Sequence, residues 1–300
     1  MNRQPCQKRH MDLTTLPDSA AYGQLAARSP LVRRLLACNP SPFTYTGTGT
    51  FVIGYGQVAV IDPGPADFPH VKSLIEGLAG ETVTHILVTH THLDHSPAAA
   101  AIQAATGAPI IGCAALTLCD EGPRADAGFD PLYKPDQVMT DGDTVSGPGW
   151  TLTAVATPGH TSNHLCFALP EEKALFTGDH VMGWSTTVVA PPDGNMADYI
   201  ASLKKLLDRD DEIYHPTHGD AITDPRRFVR GLITHRKQRE TQILKHLAIG
   251  PHSIPAMVAQ MYAGINPRLH SAAGLSVLAH LLDLQTRGQV QPSANQWALT

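Results

Sequence analysis

Four polar stretches, each the direct continuation of a β-type run, constrain this chain more than any other feature. THILVTH (84–90) runs into HTHLDH (90–95), which packs three imidazoles and one carboxylate into six consecutive positions. TLTAVATPG (151–159) leads to His160, ALFTGD (174–179) ends on Asp179, and YHPTHGD (214–220) presents His218. Imidazole nitrogens and carboxylate oxygens together suit Zn²⁺, with iron or manganese also open, whereas Ca²⁺ or Mg²⁺ prefers an all-oxygen set. In extended backbone His90 and His92 point the same way and can share one ion, while Asp94 and His95 begin the next turn and can reach a second.

The rest of the pattern interleaves strands and helices. Further β-type runs stand at 50–54, 57–62, 109–113 and 164–170, and helical periodicity at 67–80, 96–107 and 196–209, which predicts an α/β or mixed α+β fold. Ser96 and Pro97 are read as the N-cap and first residue of the helix after the ligand cluster, and Gly107 as its end. From Arg226 the texture becomes a long helical pattern, then two shorter ones and a short hairpin, the outline of a winged-helix-like domain. The predicted division is an N-terminal extension at 1–38, a catalytic domain at 39–225 and the helical domain at 226–300.

Charge follows the same division. Residues up to 225 carry 13 Lys and Arg against 25 Asp and Glu, whereas the remainder carries 9 against 2, within a net charge of −5. The basic segment fits either an acidic partner such as single-stranded RNA or a contact with the acidic body. With 42% apolar and 16% charged residues over 300 positions, the chain can bury a large core and lacks the signature of disorder. No apolar run approaches the roughly 18 residues that span a bilayer, and the opening MNRQPCQKRHMDL has no secretory h-region. A cytoplasmic location without membrane contact is therefore expected. The five cysteines, odd in number and without CxxC spacing, read as reduced, buried thiols.

HTHLDH, the His of PGHT, the Asp of TGD and the His of PTHGD, in that order, resemble the metallo-β-lactamase-fold hydrolases. The resemblance implies a four-layer αβ/βα sandwich and a binuclear site, with His90, His92 and His160 on one metal, Asp94, His95 and His218 on the other, and Asp179 bridging. Two Zn²⁺ per chain are the implied cofactors. A bridging Asp is a mark of the thioesterase, lactonase and phosphodiesterase branches and argues against antibiotic hydrolysis. NPSPFTYTGTGTFVIG (39–54), IDPG (61–64) and THRKQRETQIL (234–244) resemble the lactamase-beta-like protein two branch, whose animal member is described as a single-strand endoribonuclease.

The expected activity is metal-dependent hydrolysis of a small ester, thioester or lactone by a metal-bridging hydroxide, with no side-chain nucleophile. Asp94 would take and return the proton; His164 either donates to a substrate oxyanion or orients a ligand. RNA phosphodiester cleavage is the alternative, with β-lactam hydrolysis and an iron-dependent oxidoreductase behind it. His180, Trp184, Thr186 and Thr187 fit a pocket wall or packing under the metal loop, and His85 a structural place in mid-strand.

Overall fold

The computed structural model describes residues 21–116, 128–264 and 266–300. Its body is two sheets packed face to face. The first has seven strands in sequence order: β1 (Ala26–Ala27), β2 (Val32–Leu36), β3 (Gly49–Ile53), β4 (Gln57–Ile61), β5 (Thr82–Val88), β6 (Ile110–Gly112) and β7 (Gln137–Val138). Its first four strands pair antiparallel and the rest parallel, as the helical crossovers α1 (Phe68–Gly77) and α2 (Ala99–Thr106) require. The second sheet runs β12 (Ile213–Pro216), β11 (Ala174–Gly178), β10 (Leu165–Leu169), β9 (Trp150–Ala156) and β8 (Thr144–Gly147).

Period-two alternation sets which face each side chain serves. On β9 to β11, Leu152, Ala154, Phe167, Ala174 and Phe176 join Phe51 and Ile61 in the core between the sheets. Their neighbours Val155, Cys166, Ala168 and Leu175 face the other way, onto α3 (Met196–Leu207) and the first half of α4 (Pro225–Ile249). Leu74 and Leu78, in and just after α1, and Ile102 of α2 cover the first sheet. The order helix, sheet, sheet, helix is the expected four-layer sandwich.

The C-terminal domain has a third core, formed by Ile243 and Leu247 of α4, Met257 and Val258 of α5 (Ile254–Met261), Val277 and Leu281 of α6 (His270–Thr286), and Val290 of the hairpin β13–β14 (Val290–Ser293, Gln296–Leu299). Helix α4 starts on Pro225, with the Asp224 carboxylate accepting the Arg227 N–H at 3.2 Å, and runs 25 residues without a break. Its Val229, Leu232 and Ile233 belong to the body's core, so one helix serves both domains.

Several expectations shift. The folded body begins before residue 39, because β2 pairs with β3 from Val32↔Ile53 to Leu36↔Gly49. Ser96 does not cap α2; the helix begins at Ala99 without a side-chain cap, and the Ser96 hydroxyl donates instead to Asp130 at 2.9 Å. Gly107 does close it, in the left-handed conformation. Cys113 and Cys166 are free and buried as read, but Cys38 is disulfide-bonded. No described helix is long and apolar enough to cross a membrane.

Candidate metal centre

The parallel strand β5 and the second-sheet strands β9, β11 and β12 deliver their C-terminal ends to one edge of the sandwich. Just past those ends, the described side chains form three overlapping groups in which all ligand atoms lie within 4.8 Å of one another: His90, His92 and His160; His90, His95 and Asp179; Asp94, His95 and His218. The first and third coincide with the two expected ligand sets. His90 Nε2 and His160 Nε2 stand 2.9 and 3.1 Å from His92 Nδ1. His218 Nε2 stands 3.1 Å from Asp94 Oδ2. Asp179 faces both sets: its Oδ1 lies 3.5 Å from His95 Nε2 and 3.3 Å from His218 Nε2, and its Oδ2 lies 3.9 Å from His160 Nε2. All seven side chains are buried.

The residues around the cluster fix how each ligand is presented. His95 Nδ1 bonds Asp62 Oδ2 at 2.8 Å, His160 Nδ1 the Val188 carbonyl at 2.7 Å, and His218 Nδ1 the Gly47 carbonyl at 3.1 Å. Thr48 donates to Asp94 Oδ2 at 2.9 Å. Each imidazole bond leaves the opposite ring nitrogen turned to the centre, and Thr48 steadies the Asp94 oxygen that itself faces His95 and His218. Asp62 organises most: it also accepts the backbone N–H and hydroxyl of Thr89, both at 2.8 Å, and the Thr217 hydroxyl at 3.2 Å. It therefore ties β4, the metal loop and the end of β12 together. Sequence reasoning gave Asp62 no role, although QVAVID ends a strand on a carboxylate in the same way as LFTGD.

Gly178 shows why the residue before Asp179 is small. Its φ is +50°, and a Cβ there would lie 2.6 Å from His164 Nε2 and 2.9 Å from Thr89 Oγ1. His164 itself is buried, with Nδ1 2.9 Å from Thr157 Oγ1 and Nε2 accepting the Asp179 N–H at 3.2 Å. Both ring nitrogens are engaged inside the protein, behind Asp179. His180 packs against Tyr199 with ring centres 4.9 Å apart, and His85 sits edge-on to Trp150.

These donors fit a metal ion on two counts. Ligand atoms 2.0–2.2 Å from a tetrahedral ion are about 3.3–3.6 Å apart, and the observed spacings of 2.9 to 3.9 Å straddle that range. The centre also draws positive charge, since His95 Nε2 and Asp179 Oδ1 are buried without a hydrogen-bond partner. Burial opposes protonation of His95, yet Asp94, Asp179 and Asp62 outweigh it and raise its pKa well above the ordinary value. His218 is likewise lifted, against burial, to about 9 by Asp179 and Asp94. Burial pushes His90 and His92 well below theirs, with neighbouring imidazoles pushing the same way. The two carboxylates thus demand cations that the imidazoles are placed to share.

A cavity of about 250 Å³ adjoins the cluster. Its lining joins His160 and Asp179 to Trp184, Thr186 and Thr187 of the following loop, and to Arg236, Tyr262 and Ala273 of the C-terminal domain. The basic segment divides accordingly: Arg226, Arg227, Arg230 and Lys237 are exposed, whereas Arg236 is buried and Arg239 is half-buried at the cavity.

Comparison with known proteins agrees with this geometry. Residues 46–218 match the model of the metallo-beta-lactamase superfamily, and residues 253–297 that of the beta-lactamase associated winged helix domain. A beta-lactamase-like protein 2 homolog of Drosophila melanogaster is 32% identical over 279 residues, covering 87% of this chain and 90% of the relative. An atrochrysone carboxyl ACP thioesterase of Aspergillus fumigatus is 33% identical over 222 residues, covering 72% of this chain and 64% of the relative. The crystal structure of a beta-lactamase domain protein from Burkholderia ambifaria superposes with a TM-score of 0.77 at 21% identity, over 96% of both chains. With the histidines and carboxylates of HTHLDH, PGHT, TGD and PTHGD gathered at one sheet edge and a winged-helix domain following, the chain belongs to the metallo-beta-lactamase superfamily and is a hydrolase of that family.

Proposed function

We propose that the protein hydrolyses a small thioester, ester or lactone at a centre that holds two metal ions, zinc in the first instance. The observation that carries this reading is the cavity, which is small, mostly apolar and open to His160 and Asp179. An acyl group fits such a space; the exposed arginines that would meet an RNA backbone lie outside it. The thioesterase relatives support the thioester as the leading member of the class.

A bound metal pair supplies Lewis acidity and an activated water. The chain's own residues do the remaining work. His90, His92 and His160 would hold one ion and Asp94, His95 and His218 the other, with Asp179 facing both sets. Asp94, which accepts the Thr48 hydroxyl and faces His95 and His218, is the carboxylate that would take the proton from water and return it to the leaving group. His164 is a positioning residue, fixing the Asp179 backbone from behind. No buried serine or cysteine is needed; the Cys113 and Cys166 thiols are pushed up by burial and stand apart from the cluster.

The test is a panel of thioesters, lactones, single-stranded RNA and a β-lactam, assayed with one metal-quantified preparation. Hydrolysis of thioesters or lactones well above RNA and β-lactam is expected. Cleavage of RNA alone, weakening with salt as phosphate contacts do, would overturn the reading in favour of the nuclease.

A further inference from the structure

Arg236 is the least expected residue of the cavity wall. It lies in the middle of α4, is 3% exposed, and has its guanidinium over the Tyr199 ring at 5.1 Å. Among the described residues it donates one hydrogen bond, from Nη2 to the Thr187 carbonyl, and its Nε has no partner. Arg239, one turn on and also lining the cavity, is surrounded by neutral groups: the His235 ring, the Gln242 side chain, the Met261 carbonyl and the Tyr262 face. The one carboxylate among the described lining residues is Asp179, already committed to the metal centre.

A buried guanidinium without an anion is costly, and a second one beside it makes the imbalance worse. Other groups report the resulting positive potential. His235, which also lines the cavity, is pushed down to about 4 by burial and by Arg236 and Arg239; His280, behind the wall, is pushed down to about 3 by burial and then by Arg236. Apart from Ser276, the rest of this wall is mostly apolar, from Tyr262, Leu269, Ala272 and Ala273. A guanidinium is the group that best receives an oxyanion, through its planar fork of donors.

We propose that the cavity binds an acyl substrate that carries a second anionic oxygen, separate from the carbonyl that is attacked, and that Arg236, seconded by Arg239, selects it. This rests on the hydrolase reading above and narrows it: the body of the acyl group lies on the apolar wall, the scissile carbonyl meets the metal centre, and the extra oxyanion meets the guanidiniums. Substrate choice then belongs to the C-terminal domain and the middle of α4.

Two measurements test it. In the first, succinyl, adipyl and suberyl half-thioesters of N-acetylcysteamine are compared with the butyryl, hexanoyl and octanoyl thioesters. At one chain length at least, kcat/KM for the acidic member should exceed its neutral partner by about tenfold or more, the size of a hydrogen bond to a charged group. In Arg236→Met, which keeps the apolar stem, that ratio should fall towards unity; Arg236→Lys should retain part of it. The second needs no turnover. Succinate, adipate and suberate should raise the melting temperature of the metal-loaded protein more than butyrate, hexanoate and octanoate, and Arg236→Met should erase the difference. Equal handling of acidic and neutral members by the native protein in both measurements overturns the proposal, as does a preference that survives Arg236→Met. If no thioester is turned over, the hydrolase reading fails on its own count while the ligand-binding arm still decides the role of Arg236. Stabilisation by a short single-stranded RNA in place of the dicarboxylates assigns the guanidiniums to phosphate and also overturns it.

Discussion

On the metal side of the cavity, His95, His160, His218 and Asp94 are each held by a named partner, whereas on the C-terminal side Arg236 keeps an unpartnered Nε among alanines and a tyrosine. The first side is preorganised: the orienting bonds come from loops pinned to strand ends, and its buried carboxylates draw positive charge to the cluster. The second side keeps an excess of positive charge and a smooth apolar surface. On the reading proposed above, chemistry would reside in the preorganised wall and selectivity in the wall whose guanidinium lacks an anion.

The largest effect expected is the loss of Asp179. Because its two oxygens face different ligand sets, Asp179→Ala should reduce hydrolysis to background and lower the metal content by at least one ion per chain, read by elemental analysis. A chelator should do the same reversibly. Retention of rate and metal by Asp179→Ala would break the claim that the metal side acts as one unit.

Asp62→Asn probes the same side one step further out. It preserves shape but weakens four contacts that orient His95, Thr89 and Thr217. A loss of about 10–100-fold in metal affinity or activity is expected, the usual cost of disturbing an orienting partner. Titration with zinc against a competing chelator measures it.

The C-terminal side should respond differently. Ala273→Leu, which intrudes on the cavity from α6, should leave metal content unchanged. It should lower kcat/KM for the longest acyl group relative to acetyl by about tenfold, the order of effect of a methylene or two in an apolar pocket. A uniform loss across chain lengths would show that the two sides are not separable.

The smallest effect concerns pH. His280 is buried and neutral, with its pKa lowered from 6.5 to about 3. The unfolded chain takes up a proton near 6.5 that the folded one refuses, so this contribution to stability is complete above pH 6.5 and is lost as pH falls towards 3. His280→Leu should give a shallower fall of melting temperature on acidification. An unchanged slope would place the acid sensitivity elsewhere.

The same contrast explains what could be read without a structure. The clustered histidines and carboxylates were legible because their motifs follow β-type runs with a Gly or Pro nearby, a local signature that survives in one dimension. Asp62 has that signature too, yet it acts through other residues, and its three partners, Thr89, His95 and Thr217, are spread along the chain. Strand β2 was hidden for another reason. VRRLL looks polar at its centre, but Arg33 is neutralised by Glu81 at 2.8 Å, and Arg34 donates to the carbonyls of Gly219 and Thr217. The cavity wall was the least legible, since His235, Tyr262 and Ala273 meet only after helices far apart in sequence have packed.

Helix α4 has a consequence for how such proteins diversify. A strut that is shared by two cores cannot be cut at a domain boundary without opening both, so whole-domain shuffling at residue 225 or 226 is a poor route to new activities. The chain after Gly250 is a better cassette: replacing it would exchange Tyr262, Leu269, Ala272 and Ala273 while Arg236 and the metal cluster stay in register. Lineages that keep the rod and trade the cassette would inherit the same reaction and the same anchoring charge, with a recontoured berth for whatever is brought to it.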